Sequence, residues 1–228
     1  MFQVIKQKGK LSSRVADELE QSIMNKRFVA EQPLPSEARL CKSFGVSRTV
    51  VREAIQQLKS QGIVHSIPGS GNYISKNDTG NLKRSMSLLA KLNEDTPLHH
   101  EMLRLRELLE IECITEACRN EGTELLKSLN WYLDEMLAST DDINAFGVAD
   151  YTFHLVIMKA SGNTLFCAIW ESLYDDFLKV SQKVYAVQGA MDRVCSEHAV
   201  MIKAIESKDE VQASTLLREH IQQTKDGI

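Results

Sequence analysis

The sequence predicts a mainly α chain in two parts: three helices closed by a β-hairpin, then an all-α bundle of six or seven helices. Three observations carry this. Apolar residues recur at helical spacing almost throughout, and only two short runs, IVHSI and NYIS, read as strands. Charge is divided unevenly. Residues 1–80 hold 12 Lys and Arg against 7 Asp and Glu, a net of +5, and the remainder holds 15 against 24, a net of −9, although the 228-residue chain carries only −4. Five of the six histidines also lie beyond residue 80. Such asymmetry marks two jobs on one chain, one of them facing a polyanion.

Composition removes several classes. At 43% hydrophobic residues the chain is too apolar for a disordered polyelectrolyte. No apolar run approaches the roughly 18–20 residues of a membrane span. The start, MFQVIKQKGKLSSRVADEL, has no apolar core of a secretion signal. The five cysteines are odd in number, contain no C-x-x-C and sit mostly in apolar helical contexts, which fits buried reduced thiols. A cytoplasmic protein without membrane contact is expected.

The elements follow in order. Leu11, Val15, Leu19 and Ile23 recur every four residues, with Ser12 or Ser13 as cap, and predict a helix to about Arg27. Two prolines in VAEQPLPSE break it. Ser36 then caps a short helix, SEARLCKSF, which Gly45 ends, and Ser47 caps a third, RTVVREAIQQLKSQ, stopped by Gly62. Val51, Ile55 and Leu58 form its buried stripe. The turn PGSG joins the two strand-like runs. This defines a head over residues 1–76, a polar linker at 77–81 and a helical part over 82–228. The latter reads as LKRSMSLLAKL, HHEMLRLRELLEIECITEACRN, TELLKSLNWYLDEML, INAFGVADYTFHLVIMKAS, NTLFCAIWESLYDDFLKVSQKVYAV, MDRVCSEHAVMIKAIESK and DEVQASTLLREHIQQTKD.

A short helix, a tight turn at Gly45 and a second helix opening Ser-Arg-Thr form a helix-turn-helix, and the hairpin supplies a wing. Arg48, Arg52 and Gln56 fall on the face opposite the buried stripe. Ser47 and Thr49 sit at the positive helix N-terminus, where phosphates are met, and Gly69 lets the wing approach a groove. Arg39 is either a further contact or a surface cation. In the helical part, Asp150 and His154 share one face at i, i+4, and His198 and His220 lie on two further helices. Three imidazoles and a carboxylate suit Zn, Ni, Mn or Fe, with Zn the first choice. Arg106 either clamps a ligand carboxylate or pairs with Glu110 one turn on. Asn163 is a helix cap or a ligand contact. Trp131, Trp170, Tyr174 and Phe177 read as core or dimer surface.

The run LPSEARLCKSFGVSRTVVREAIQQLKSQGIVHSIPGSGNYIS resembles the winged-helix domain of the GntR family of bacterial transcription regulators. Two positions depart from many members: Ala38 follows LPSE where Arg is common, and Ser70 stands between the wing glycines where Arg or Lys is common. Further on, R-x-x-L-E at Arg106–Glu110, D-x-x-F-H at Asp150–His154, SGN at 161–163, H-x-x-x-x-x-A-I from His198 and the histidine at 220 resemble the FCD effector domain, which defines the FadR subfamily. The resemblance implies a homodimer on double-stranded DNA at a palindromic operator, contacted by Ser47, Arg48, Thr49, Arg52 and Gly69. It also implies a divalent cation on Asp150, His154, His198 and His220, whose coordination a small carboxylate effector completes. The expected function is a repressor controlled by a small carboxylate or sugar acid. The rival is a helical metal-dependent hydrolase with an accessory binding head, but no H-E-x-x-H and no nucleophile motif supports it, so no enzyme activity is expected.

Overall fold

Serine caps and left-handed glycines set the geometry of the head in the computed structural model, which describes residues 10–76, 82, 85, 86, 88, 98–120 and 122–227. The chain divides into two compact units, Met1–Asn81 and Leu82–Ile228. The expected linker at 77–81 lies outside the described residues. So does most of the expected helix LKRSMSLLAKL, of which residues 82, 85, 86 and 88 are described as helical.

The first unit holds α1 (Leu11–Met24), α2 (Glu37–Phe44), α3 (Arg48–Ser60), β1 (Val64–Ile67) and β2 (Gly71–Ile74). Ser36 Oγ accepts from Arg39 N and starts α2; Gly45, at φ 65°, ends it in the left-handed region that glycine adopts without strain. Two residues later Ser47 Oγ accepts from Val50 N and starts α3. Val15, Leu19, Leu40, Val51, Ile55 and Leu58 close the core between the three helices.

The first helix departs from its expected bounds. It ends at Met24, Lys26 follows at φ 56°, and the cap is Lys10 with no side-chain bond. Leu11 is 49% exposed and Ile23 only partly buried. A four-residue spacing drifts about 40° per step around a helix of 3.6 residues per turn, so a stripe of four such positions leaves the core at both ends. Val15 and Leu19 stay buried, and Ser12 lies buried beside them rather than capping.

The hairpin pairs Val64 with Ile74 and Ile67 with Gly71. Pro68 and Gly69, the latter at φ 74°, make its turn, closed by Ser70 N–H on Ile67 O at 3.0 Å. The proline-broken segment after α1 is not a free loop. Glu31 N bonds Ile74 O at 2.9 Å, Ile74 N bonds Gln32 O at 3.0 Å, and Leu34 N bonds Asn72 O at 2.8 Å, with Pro33 bridged to Tyr73. A third edge therefore pairs with β2, and Pro33 sits where its missing N–H is not needed.

The second unit contains, among its described residues, α4 (Leu98–Arg119), α5 (Thr123–Ala138), α6 (Ile143–Ala160), α7 (Thr164–Ser172), α8 (Tyr174–Tyr185), α9 (Ala190–Glu206) and α10 (Glu210–Asp226). Asp142, Asn163 and Asp209 cap α6, α7 and α10 with side-chain oxygens. The single helix expected over NTLFCAIWESLYDDFLKVSQKVYAV is two. It breaks at Leu173, whose N–H turns back to Trp170 O at 3.0 Å. No glycine or proline marks the break. It lets Trp170 stack on Tyr151 at 5.4 Å while Phe177 meets both rings edge-on at 5.4 and 5.5 Å. All five cysteines are free thiols, and Cys113, Cys118 and Cys195 are buried. Burial pushes each of those three up to about 11.

Candidate metal centre and nucleic-acid face

Five helices of the bundle aim polar groups into an otherwise apolar interior. One turn before Asp150 on α6, Gly147 packs against α8, where a Cβ would make ordinary van der Waals contact with Leu178 and Ser181. Asp150 and His154 of α6, His198 of α9 and His220 of α10 are all buried, and one ligand atom from each lies within 4.8 Å of the others. Asp150 Oδ1 is 3.5 Å from His154 Nε2 and 3.4 Å from His198 Nε2. The spacing expected at i, i+4 on α6 is thus realised, and the fold adds the other two rings from separate helices.

Three of the four inward groups have a polar side chain behind them. His154 Nδ1 lies 2.5 Å from Glu110 Oε2, a close charge contact outside hydrogen-bond geometry. His220 Nδ1 lies 2.7 Å from Glu197 Oε2. With Nδ1–H of His220 directed at Glu197, that ring in its neutral form keeps its Nε2 lone pair for the interior. Tyr185 O–H donates to Asp150 Oδ2, leaving Oδ1 facing the rings. His198 instead stacks on Phe153, with ring centres 4.1 Å apart and planes at 4°. Glu197 and Tyr185 carry no sequence signal for this site, and Glu110 carries one only as the partner of Arg106 at i, i+4.

The set fits a divalent cation. Asp150 Oδ1 and both ring nitrogens of His198 are buried without a hydrogen-bond partner among the described residues. Each such atom costs about 1–3 kcal/mol if left unmet. Ligands about 2.1 Å from an ion at tetrahedral angles stand about 3.4 Å apart, close to the Asp150–histidine separations. Electrostatics agrees. Burial alone would raise the Asp150 carboxyl, yet the three surrounding histidines hold it well below its ordinary range. Burial likewise opposes ionisation of Glu110, but Arg106 and His154 outweigh it and bring it to about 2. Burial pushes His198 well down and His220 down, so both favour the neutral ligand form. His154 moves up because Glu110 and Asp150 overcome its burial.

Of the two readings of Arg106, the intrahelical pair is the one the structure contains. The residue is 3% exposed and its Nε donates to Glu110 Oε1 at 2.7 Å, the intrahelical pair. Its second terminal nitrogen lies 3.4 Å from His154 Nε2, and its guanidinium stacks over Phe177 and Trp170 at 4.8 and 5.2 Å. Asn163 Oδ1 is occupied by capping, accepting from Leu165 N at 3.0 Å and Phe166 N at 3.3 Å.

The head presents the opposite arrangement. Ser47, Arg48, Thr49, Arg52 and Gln56 are exposed along α3, Arg39 is exposed on α2, and Gly69 is exposed in the hairpin turn. Arg52 Nε donates to Glu37 Oε2 at 2.9 Å, which fixes one cation of this face. Beside Gly69, the hydroxyls of Ser70 and Tyr73 are hydrogen-bonded at 2.6 Å. No helix among the described residues is long and apolar enough to cross a membrane.

Known proteins share both halves. The family described as bacterial regulatory proteins, gntR family, matches residues 11–74, and the FCD domain matches residues 101–223. The HTH-type transcriptional repressor NanR of Cronobacter sakazakii is 31% identical over 217 residues, covering 93% of this chain and 83% of its own. Its counterpart from Klebsiella aerogenes is 32% identical with the same coverage. The solved structure of Streptococcus agalactiae GntR shares the fold at a TM-score of 0.68 and 21% identity, over 94% of this chain and 99% of that one. The family and these relatives are transcription regulators rather than enzymes, which sets the hydrolase reading aside. The chain belongs to the gntR family of bacterial regulatory proteins, as a DNA-binding transcription regulator that carries an FCD domain.

Proposed function

We propose that this regulator is a cytoplasmic homodimeric repressor whose hold on a palindromic operator is set by a small carboxylate or sugar acid bound at a metal ion. The observation that carries the reading is the convergence of Asp150 Oδ1 and three histidines, buried, partly unpartnered and backed by carboxylates. Asp150, His154, His198 and His220 hold the divalent cation, with Zn the first choice over Ni, Mn or Fe. The bound ion supplies a Lewis-acid centre with positions left for a carboxylate oxygen. Arg106 orients that anion with its terminal nitrogens, since its Nε is tied to Glu110. Asn163 helps by fixing the start of α7, the helix of Trp170, and has only its amide nitrogen left for a ligand.

On DNA, Arg48 and Arg52 reach base edges or phosphates, Ser47 and Thr49 meet phosphate at the α3 N-terminus, and Gly69 and Arg39 extend the contact. The effector changes operator affinity only if it binds one arrangement of the bundle better than another. The relatives named as repressors favour repression as the sign of control.

A thermal-shift series with chelator, divalent metal and candidate carboxylates tests the reading. Metal should raise the melting temperature of stripped protein, and the effective carboxylate should raise it further only with metal present. Loss of both responses in His154→Ala is expected. Wild-type protein indifferent to chelator and to every divalent ion tried would overturn the metal-linked pocket.

A further inference from the structure

Of the three polar groups behind the quartet, Glu197 is the one that water can reach. Glu110, behind His154, and Tyr185, behind Asp150, are buried. Glu197, behind His220, has a side chain 17% exposed. A glutamate has three side-chain torsions to freeze, and water competes for its oxygens, so its bond to His220 alone is a weak restraint.

Arg193 supplies a second restraint. Its Nη1 donates to Glu197 Oε1 at 2.9 Å and to Gln223 Oε1 at 2.5 Å. That nitrogen carries two hydrogens, one for each bond. The opposite oxygen, Glu197 Oε2, is the one 2.7 Å from His220 Nδ1. Arg193 and Glu197 stand one turn apart on α9, and His220 and Gln223 one turn apart on α10. The four side chains therefore bridge the two helices, from Arg193, 34% exposed, inward to the buried ring of His220. A cation on one carboxylate oxygen leaves the other directed at the imidazole.

We infer that Arg193 is a positioning residue for the cation site: it fixes Glu197, and through Glu197 the tautomer of His220. With Glu197 in place, the His220 proton sits on Nδ1 and Nε2 offers its lone pair to the quartet. With Glu197 released to water, neither tautomer is held, and the Nε2–H form points a proton where a cation needs a lone pair. The inference rests on the cation site of the proposed function and adds a residue at the bundle surface that sets it.

Two readouts on the full chain test it, with circular dichroism confirming that each variant is folded. In metal-free protein at about pH 8, where ordinary imidazole is neutral, the ring-nitrogen NMR signals of His220 report its tautomer. Wild type should show the proton on Nδ1, and Arg193→Met a mixture of both forms. In chelator competition, Arg193→Met should bind Zn about tenfold more weakly, with no further loss when it is added to Glu197→Gln. Arg193→Lys, which keeps the charge and a donor, should recover part of the affinity. A residue that only braced α9 against α10 would lower the melting temperature and leave the tautomer alone. Persistence of the Nδ1–H form in Arg193→Met, or Zn affinity within about twofold of wild type, overturns the inference and leaves the cation site standing. Wild-type protein that takes up no Zn overturns both.

Discussion

Two arginine–glutamate pairs, one in each unit, show how differently the two halves use charge. In the head, Arg52 donates to Glu37 at 2.9 Å with the side chains 67% and 34% exposed. In the bundle, Arg106 donates to Glu110 at 2.7 Å with the side chains 3% and 0% exposed. The bond is the same, but water is not. An exposed pair contributes about 0–1 kcal/mol, because solvent screens it and either partner is content alone. A buried pair adds little over an apolar substitute, but removing one partner strands the other in a medium that cannot solvate it. The head therefore keeps its cations available for an external polyanion. The bundle commits its charges to one another, around a buried quartet whose donor set fits a cation.

That contrast can be broken by matched substitutions. Glu110→Gln should cost about 3–5 kcal/mol of stability in chemical denaturation, because Arg106 is left buried and unpaired. Glu37→Gln should cost less than about 1 kcal/mol in the same experiment. Equal losses would show that burial is not what separates the pairs.

Next in size, Glu197→Gln should lower metal affinity about 10–100-fold in a competition titration by loosening the His220 ring, while the fold persists. Acidification acts on the same site. Cation uptake requires three neutral imidazoles, so affinity should fall as pH drops, by up to about tenfold per pH unit for each ring that must lose a proton. The fall begins above the ordinary histidine range, where His154 is protonated, and continues below it for His220 and His198. His154, held above its ordinary value by Glu110 and Asp150, takes up its proton first. An affinity flat from pH 8 to pH 5.5 would remove the histidines from the ligand set.

In the head the effects are smaller and appear on DNA. Arg48→Ala should weaken operator binding by about 1–3 kcal/mol in fluorescence anisotropy and reduce its salt dependence. Ser47→Ala, which removes the α3 cap, should cost about 1 kcal/mol of stability in the head. An unchanged operator affinity in Arg48→Ala would move the contact surface off α3.

The same contrast decides what could be read before the fold was known. The α2–turn–α3 unit was legible because its signals are local: Ser36, Gly45 and Ser47 each act on backbone within four residues. The buried quartet of Asp150, His154, His198 and His220 was legible as residue types on helices, and for Asp150 and His154 as a shared face. The groups behind it were not. Glu197 meets His220 across 23 positions and Tyr185 meets Asp150 across 35, so no local pattern predicts either contact. The break at Leu173 carries no local signal for a related reason. It is imposed by packing Trp170 and Phe177 around Tyr151, not by a helix-breaking residue. Pairing of Gln32 and Leu34 with β2 was likewise hidden behind prolines that read as a plain loop.

The central claim is that Asp150, His154, His198 and His220 form one cation site that is otherwise left incomplete. Isothermal titration of Zn into chelator-stripped protein addresses it most directly. The account predicts one ion per chain in the wild type, with affinity reduced roughly 100-fold or more in a folded His198→Ala variant. Equal uptake by that variant, or no uptake by the wild type, would contradict it.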